Sequence, residues 1–252
     1  HVDGKVDPVS DIESINLELI IADMQSVGKR IDTLARDVKR GDKPAAAEHA
    51  ALVKILMVLE KGDLAAKATL DLEERTLLKS MNLLTLKPIL YILNKKAGGK
   101  NLDEMNDPRF VQLLAYFKER GDHYVIVDAK IEEELNEFEG EEKKMFAEEL
   151  GVTRDGIDDL IVAAYDLLGL ATFLTTGEDE TRAWTIKKMS TAPVAGMAIH
   201  NDFKEKFIRA EVINWQTLLD AGSYGAAREK GLVRTEGKEY VVQDGDVIEF
   251  RI

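Results

Sequence analysis

Leu17, Ile20, Met24, Val27, Ile31, Leu34 and Val38 step along the chain by alternating threes and fours. That spacing commits residues 11–41 to one long helix with a single apolar seam. Gly41 then stops the helix, Asp42 is placed to cap another, and Pro44 fits in the new first turn, where its missing N–H costs nothing. Leu52, Ile55, Leu56 and Leu59 supply the buried side of this second helix, which ends near Gly62. The connection is too short for any arrangement but an antiparallel helical hairpin.

At about 100° per residue, Lys29, Arg36, Arg40 and Lys43 fall in one stripe roughly opposite the seam. The hairpin is therefore expected to carry a basic outer edge near its tip. Two accounts of the stripe stand side by side. It is a solvated face threaded with Asp32 and Asp37, or it is a contact for RNA phosphates, made by a projecting arm that reaches into a large partner.

From Leu83 the pattern alternates. Residues 87–93 (KPILYIL) form a nearly continuous apolar run, as a buried parallel strand requires. Residues 107–120 read as a helix opened by Asp107-Pro108, and residues 123–127 (HYVIV) as a second buried strand. Acidic helical segments follow, in which Glu132, Glu133 and Glu134 read as a solvated first turn suited to the helix dipole. Strand, helix, strand, helix is the signature of an α/β unit with a parallel sheet. Two strands do not make a stable doubly wound domain, so the remaining strands are expected from sequence ahead of His1.

In open α/β sheets, ligands bind beyond the carboxyl ends of the strands. The ends in view are Asn94-Lys95-Lys96-Ala97, followed by Gly98-Gly99, and Asp128-Ala129-Lys130. An ordinary account of Asn94 is a turn residue that caps its own backbone. The chain contains no GxxxxGK(S/T) segment to cradle a triphosphate, and no nucleophile or acid/base set can be assembled from it. The four histidines are scattered and there is no cysteine, so neither a disulfide framework nor a zinc site is expected. No run of 18 apolar residues and no secretory signal is visible, and the expectation is a cytoplasmic protein off the membrane. The net charge of −13 argues against indiscriminate DNA binding, while a local basic face toward RNA stays open.

Residues 182–213 (RAWTIKKMSTAPVAGMAIHNDFKEKFIRAEVI) and 237–252 (GKEYVVQDGDVIEFRI) read as a small β-rich module. Asp244-Gly245-Asp246 is a plausible hairpin turn between residues 240–242 and 247–250, and Trp184, Phe203, Phe207 and Ile208 read as core. These segments resemble the TGS domain, a ubiquitin-like β-grasp module, as carried by the YchF-type branch of the Obg-related nucleotide hydrolases. The opening HVDGKVDPVSDIESINLELIIADM resembles the segment that in this family leads into a helical insertion, so the likeness runs from His1 to Ile252.

The resemblance implies an α/β and α+β mixture. Residues 1–10 would end the N-terminal part of a G domain, and 11–80 would be an inserted α-helical coiled-coil hairpin. Residues 81–176 would be the C-terminal part of that partial parallel-sheet G domain, and 177–252 the TGS domain. The strand ends resemble the paired base-recognition loops N/T-K-x-D and S-A-K. Asn94, Lys95, Asp128, Ala129 and Lys130 would then bind a purine nucleotide, ATP or GTP, with magnesium held in the intact parent. Ala97 departs from the pattern: guanine-selective members have Asp there and YchF-type members usually Glu, and alanine accepts no hydrogen bond, so guanine selectivity is not expected. The phosphate-binding and switch segments would precede His1, making the chain a portion of a larger enzyme that does not itself hydrolyse nucleotide. Expected partners are the ribosome, its RNA or translation factors, with Lys204, Lys206 and Arg209 as contacts from the TGS module. The rival expectation is a non-catalytic RNA- or ribosome-binding adaptor built on the hairpin and that module.

Overall fold

A computed structural model of the chain describes residues 6–150, 156–177 and 180–252. The chain divides into two compact units, residues 1–160 and 161–252. The first opens with α1 (Pro8–Lys39) and α2 (Lys43–Leu59). Asp7 caps α1 and Pro8 stands in its first turn. Helix therefore starts inside the segment that the sequence assigned to residues 1–10, and residues 1–5 of that segment lie outside the described residues.

Gly41 takes φ +85° between the helices, a conformation that strains any residue with a Cβ. Asp42 accepts from the Ala45 N–H at 2.8 Å. Along the seam Ile20, Val27 and Leu34 are buried against Leu52, Ile55 and Leu59, with Met24, Ile31 and Val38 packed at the margin. Each full burial of such a side chain stabilises the pair by about 1.5–3 kcal/mol. Leu17 departs from the expectation and is exposed. Arg30 clamps Glu48 across the two helices through paired contacts of 2.7 and 2.8 Å.

Asp23, on the first helix, is buried. Its carboxylate accepts from the Leu84 N–H (2.9 Å), the Thr85 N–H (2.7 Å) and the Thr85 hydroxyl (2.7 Å). The hairpin is thereby fastened to the segment that follows α3 (Leu72–Leu78) and leads into the sheet. Asn16, also buried, donates to the Tyr91 hydroxyl at 3.3 Å.

The sheet of this unit is β1 (Leu90–Asn94) beside β2 (His123–Val127), parallel and in register from Leu90↔His123 to Asn94↔Val127. Between them runs α4 (Pro108–Arg120), capped by Asp107. Phe117 of α4 packs between Tyr91 and Tyr124, with ring centroids 5.1 and 5.0 Å away. After β2 come α5 (Ala129–Leu135), α6 (Gly140–Glu149) and α7 (Gly156–Leu168). Two expectations need correcting. β1 starts at Leu90 rather than Lys87, and the strands are not buried throughout: Ile92, Tyr124 and Ile126 are exposed. Among the described residues each strand has one paired edge only, so the covering that a central parallel strand receives is incomplete.

The second unit is a mixed five-stranded sheet in the order β4-β3-β7-β5-β6. Its strands are β3 (Leu170–Thr176), β4 (Thr181–Lys187), β5 (Arg209–Asn214), β6 (Arg234–Glu236) and β7 (Asp246–Arg251). β3 and β7, the first and last strands of this sheet, run parallel as neighbours. The sheet takes β3 from residues ahead of position 177. One face buries Ala171, Phe173, Ala210, Val212 and Ile248 under the region of α8 (Ala192–Gly196) and α9 (Asp202–Glu205). The other buries Ile213 and Val247 against α10 (Trp215–Ala221) and α11 (Tyr224–Glu229).

The expected hairpin between residues 240–242 and β7 does not form. Val242 N–H donates to Ser190 and Ala192 N–H to Tyr240 instead. Asp246 is drawn inward, accepting from the Tyr240 hydroxyl (2.7 Å) and the Gln243 N–H (2.8 Å), which turns the chain away from a two-strand ladder. Ile208, expected in the core, is exposed.

Candidate functional site

β1 and β2 end level with one another, so the loops that leave them emerge side by side. Two hydrogen bonds join these loops. Asn94 Oδ1 accepts from the Ala129 N–H at 3.1 Å, and the Lys95 N–H donates to the Val127 carbonyl at 2.7 Å. Asn94 therefore braces the neighbouring loop rather than capping its own backbone. Asp128 caps α5, its Oδ1 accepting from the N–H groups of Lys130 (3.2 Å) and Ile131 (3.1 Å).

The loop after β1 is closed by Asn101, which accepts from the Lys96 N–H (2.9 Å) and donates back to the Lys96 carbonyl (3.2 Å). Gly98 turns the loop at φ +60°. Gly99 approaches so closely that a Cβ there would lie 3.1 Å from the Lys96 carbonyl oxygen. Lys95 reaches Asp103 at 3.0 Å and also pairs with Glu104. Its ammonium is held above the usual lysine range, first by the hydrogen bond to Glu104 and against the desolvation of partial burial. Glu104 is correspondingly held below the usual carboxylate range by that bond.

Between the loops lies a cleft of about 480 Å³, reached by Lys95, Gly99, Asn101, Glu104, Val127 and Asp128. Its size and its mixed apolar and polar walls suit a planar aromatic ligand. On the α4 side of β1 a second cleft of about 540 Å³ is lined by Tyr91, Leu93, Phe110 and Leu113 and shares Lys95 and Lys96. Lys95 and Asp128 thus reach the strand-end cleft, Asn94 and Ala129 build its brace, and Lys130 points elsewhere, 3.9 Å from Glu134.

Glu132 overturns the expectation of a solvated turn. It is buried, and its Oε1 accepts from the Gly156 N–H at 2.7 Å, joining α5 to the start of α7 beside the cleft. Three consecutive Glu span too wide an arc of a helix to share one environment, so one of them turns inward. Sequence reasoning also missed Asn101, Asp103 and Glu104. The available signal was Asn and two acids within one loop turn of a strand-end lysine.

The stripe residues Lys29, Arg36, Arg40 and Lys43 are exposed. Arg40 ends α1 and pairs with Asp37 at 3.6 Å. Lys43 belongs to α2 rather than α1, so the stripe expected on the first helix ends at Arg40. Lys29, Arg36 and Lys43 make no ion pair among the described residues. In the second unit Lys204 is exposed, Lys206 pairs with Asp202 at 2.7 Å, and Arg209 lies 3.9 Å from Glu211. Among the described residues no group of three His, Asp or Glu side chains could hold a metal ion, and no helix is long and apolar enough to cross a membrane.

The sequence model of a family described as "YchF-GTPase_C: Protein of unknown function (DUF933)" matches residues 170–252. The chain is 49% identical over 255 residues to the Ribosome-binding ATPase YchF of Bacillus subtilis, covering 100% of this chain and 68% of that protein. It is 43% identical over 251 residues to the protein of the same name from Haemophilus influenzae, with the same coverage. Its fold is similar to that of the Schizosaccharomyces pombe YchF GTPase, with a TM-score of 0.79 at 31% identity, over 100% of this chain and 68% of that one.

Proposed function

The chain belongs to the YchF family, and from that membership we propose that its first unit recognises the base of a purine nucleotide. Residues 94–101 and 126–132 form the recognition cleft. The observation that carries this reading is the Asn94 side chain bonded to the Ala129 N–H at 3.1 Å, because it fixes two strand-end loops on either side of a base-sized cleft. Lys95 offers its aliphatic stem as a stacking surface while Asp103 and Glu104 hold its charged end. Residues 1–252 contain no phosphate-binding loop, and transition-state stabilisation in phosphoryl transfer rests on phosphate and magnesium contacts. These residues therefore supply base recognition, and ATP or GTP hydrolysis with magnesium requires groups beyond them.

The relatives' names, ribosome-binding ATPases, support the ribosome as the partner of this chain and the cytoplasm as its location. We assign the contact to Lys29, Arg36 and Lys43 on the helical hairpin, exposed cations without ion pairs among the described residues. The second unit, read as a TGS domain, adds Lys204, exposed and without an ion pair among the described residues. Those cations also sustain the second reading, an RNA- or ribosome-binding adaptor indifferent to nucleotide. Calorimetric titration with ATP, GTP and CTP separates the two. Purine nucleotides bind and CTP does not, and Asn94→Ala weakens purine binding. Equal heats from all three, or none, favour the adaptor.

A further inference from the structure

Ala97 presents no acceptor to the strand-end cleft, yet a purine with an amino group brings N–H donors that need one when water is excluded. Four carboxylates line the cleft: Glu104, Asp128, Glu132 and Asp159. Asp128 spends one oxygen on capping α5, Glu132 is buried beneath the Gly156 N–H, and Asp159 has partners of its own.

Glu104 differs. Its side chain is 49% exposed at the mouth of the cleft, on the same loop turn as Asn101. Each oxygen has one local partner, Lys95 on Oε1 and the Asn101 amide on Oε2 at 3.3 Å. A carboxylate oxygen accepts more than one hydrogen bond, so both retain capacity toward the cleft. The Lys95 ammonium keeps the group ionised and aimed beside the surface on which a base would stack.

We propose that Glu104 is the specificity-determining residue of the cleft, accepting a hydrogen bond from the amino group of a bound purine in place of the acceptor that Ala97 lacks. The proposal rests on the base-recognition reading above. The carboxylate takes the purine N–H, while the Lys95 ammonium holds it at the edge of the surface on which the base stacks. Without the carboxylate, the amino group enters the cleft unpaired and its advantage disappears.

The test is titration of the 252-residue chain, followed by amide NMR, with adenosine, guanosine and the purine riboside that carries no amino group. The parent chain is expected to bind one of the amino-purines about tenfold or more tightly than the unsubstituted riboside, the range of one charge-assisted hydrogen bond. Which amino-purine wins identifies the natural base. Glu104→Ala is expected to erase that ratio, and Glu104→Gln, which keeps one acceptor oxygen but loses the charge, to reduce it. A loop merely loosened by the substitution would weaken all three ligands alike and leave the ratio intact, and that result overturns the proposal. So does an unchanged ratio at unchanged affinity. A parent chain that binds none of the three overturns the base-recognition reading along with it, and so is told apart from failure of Glu104 alone.

Discussion

Replacing Asp23 with alanine is expected to unfasten the helical hairpin from the segment that feeds β1. The carboxylate accepts two backbone N–H groups, at 2.9 and 2.7 Å, and the Thr85 hydroxyl at 2.7 Å. Thr85 is fully buried and its hydroxyl also accepts from the Ala65 N–H at 3.1 Å. On loss of the carboxylate the hydroxyl can rotate, whereas the N–H groups of Leu84 and Thr85 are fixed by the backbone and left without an acceptor. At about 1–3 kcal/mol for each of the two stranded donors, the substitution costs about 2–6 kcal/mol. With a urea dependence of about 2 kcal/mol per molar, the midpoint of the helical transition falls by about 1–3 M. Asp23→Asn keeps one acceptor oxygen and should lose roughly half as much. Urea unfolding followed by far-UV circular dichroism gives the midpoint, and hydrogen exchange at the Thr85 amide reports the contact itself. An alanine variant with the parent midpoint and undiminished protection at Thr85 would refute the reasoning.

Gly245→Ala should destabilise the second unit by about 1–3 kcal/mol, because the residue sits at φ +80° and a Cβ would lie 2.6 Å from Trp215 Cδ1; thermal unfolding followed by tryptophan fluorescence checks it. Burial, with the Asp246 hydrogen bond second, pushes the Tyr240 hydroxyl up to about 12, against about 10 in an unfolded chain. A raised value means that its contribution to stability is complete below about pH 10 and is lost as the pH climbs toward 12; the melting temperature should fall across that window, and Tyr240→Phe should flatten the fall. Reversing the charges of Lys29, Arg36 and Lys43 to Glu should reduce co-sedimentation with ribosomes at low salt and make the residual binding less salt-dependent. Unchanged pelleting would remove the stripe from the binding surface.

How much of this was legible depends on how local the signal was. The hairpin could be read because its seam repeats within one helix and because Gly41, Asp42 and Pro44 act on their immediate neighbours. Asp107-Pro108 opening α4 and the HYVIV strand were equally local. Asp23 gave no such sign, since its partners at Leu84 and Thr85 are brought to it only by the fold. Glu132 was misjudged for the same reason: its partner Gly156 is remote in sequence. The turn at residues 243–246 has the composition of a hairpin, yet Asp246 bonds to Tyr240 and Gln243 and the preceding segment pairs with residues 190–192. At the site, Asn94, Lys95 and Asp128 were visible because strand ends are where α/β sheets bind ligands. The carboxylates that hold Lys95 come from a loop with no periodic pattern, and their role emerges only when the loop is closed by Asn101.

If the loops after β1 and β2 grip a purine, nucleotide must perturb their backbone amides. Titrating the isotopically labelled chain with ATP and following every backbone amide tests it most directly. The account predicts saturable shifts concentrated at residues 94–101 and 126–132, abolished by Asn94→Ala, with no phosphate released above a blank. Shifts confined to other surfaces, or none at all at millimolar nucleotide, would contradict it.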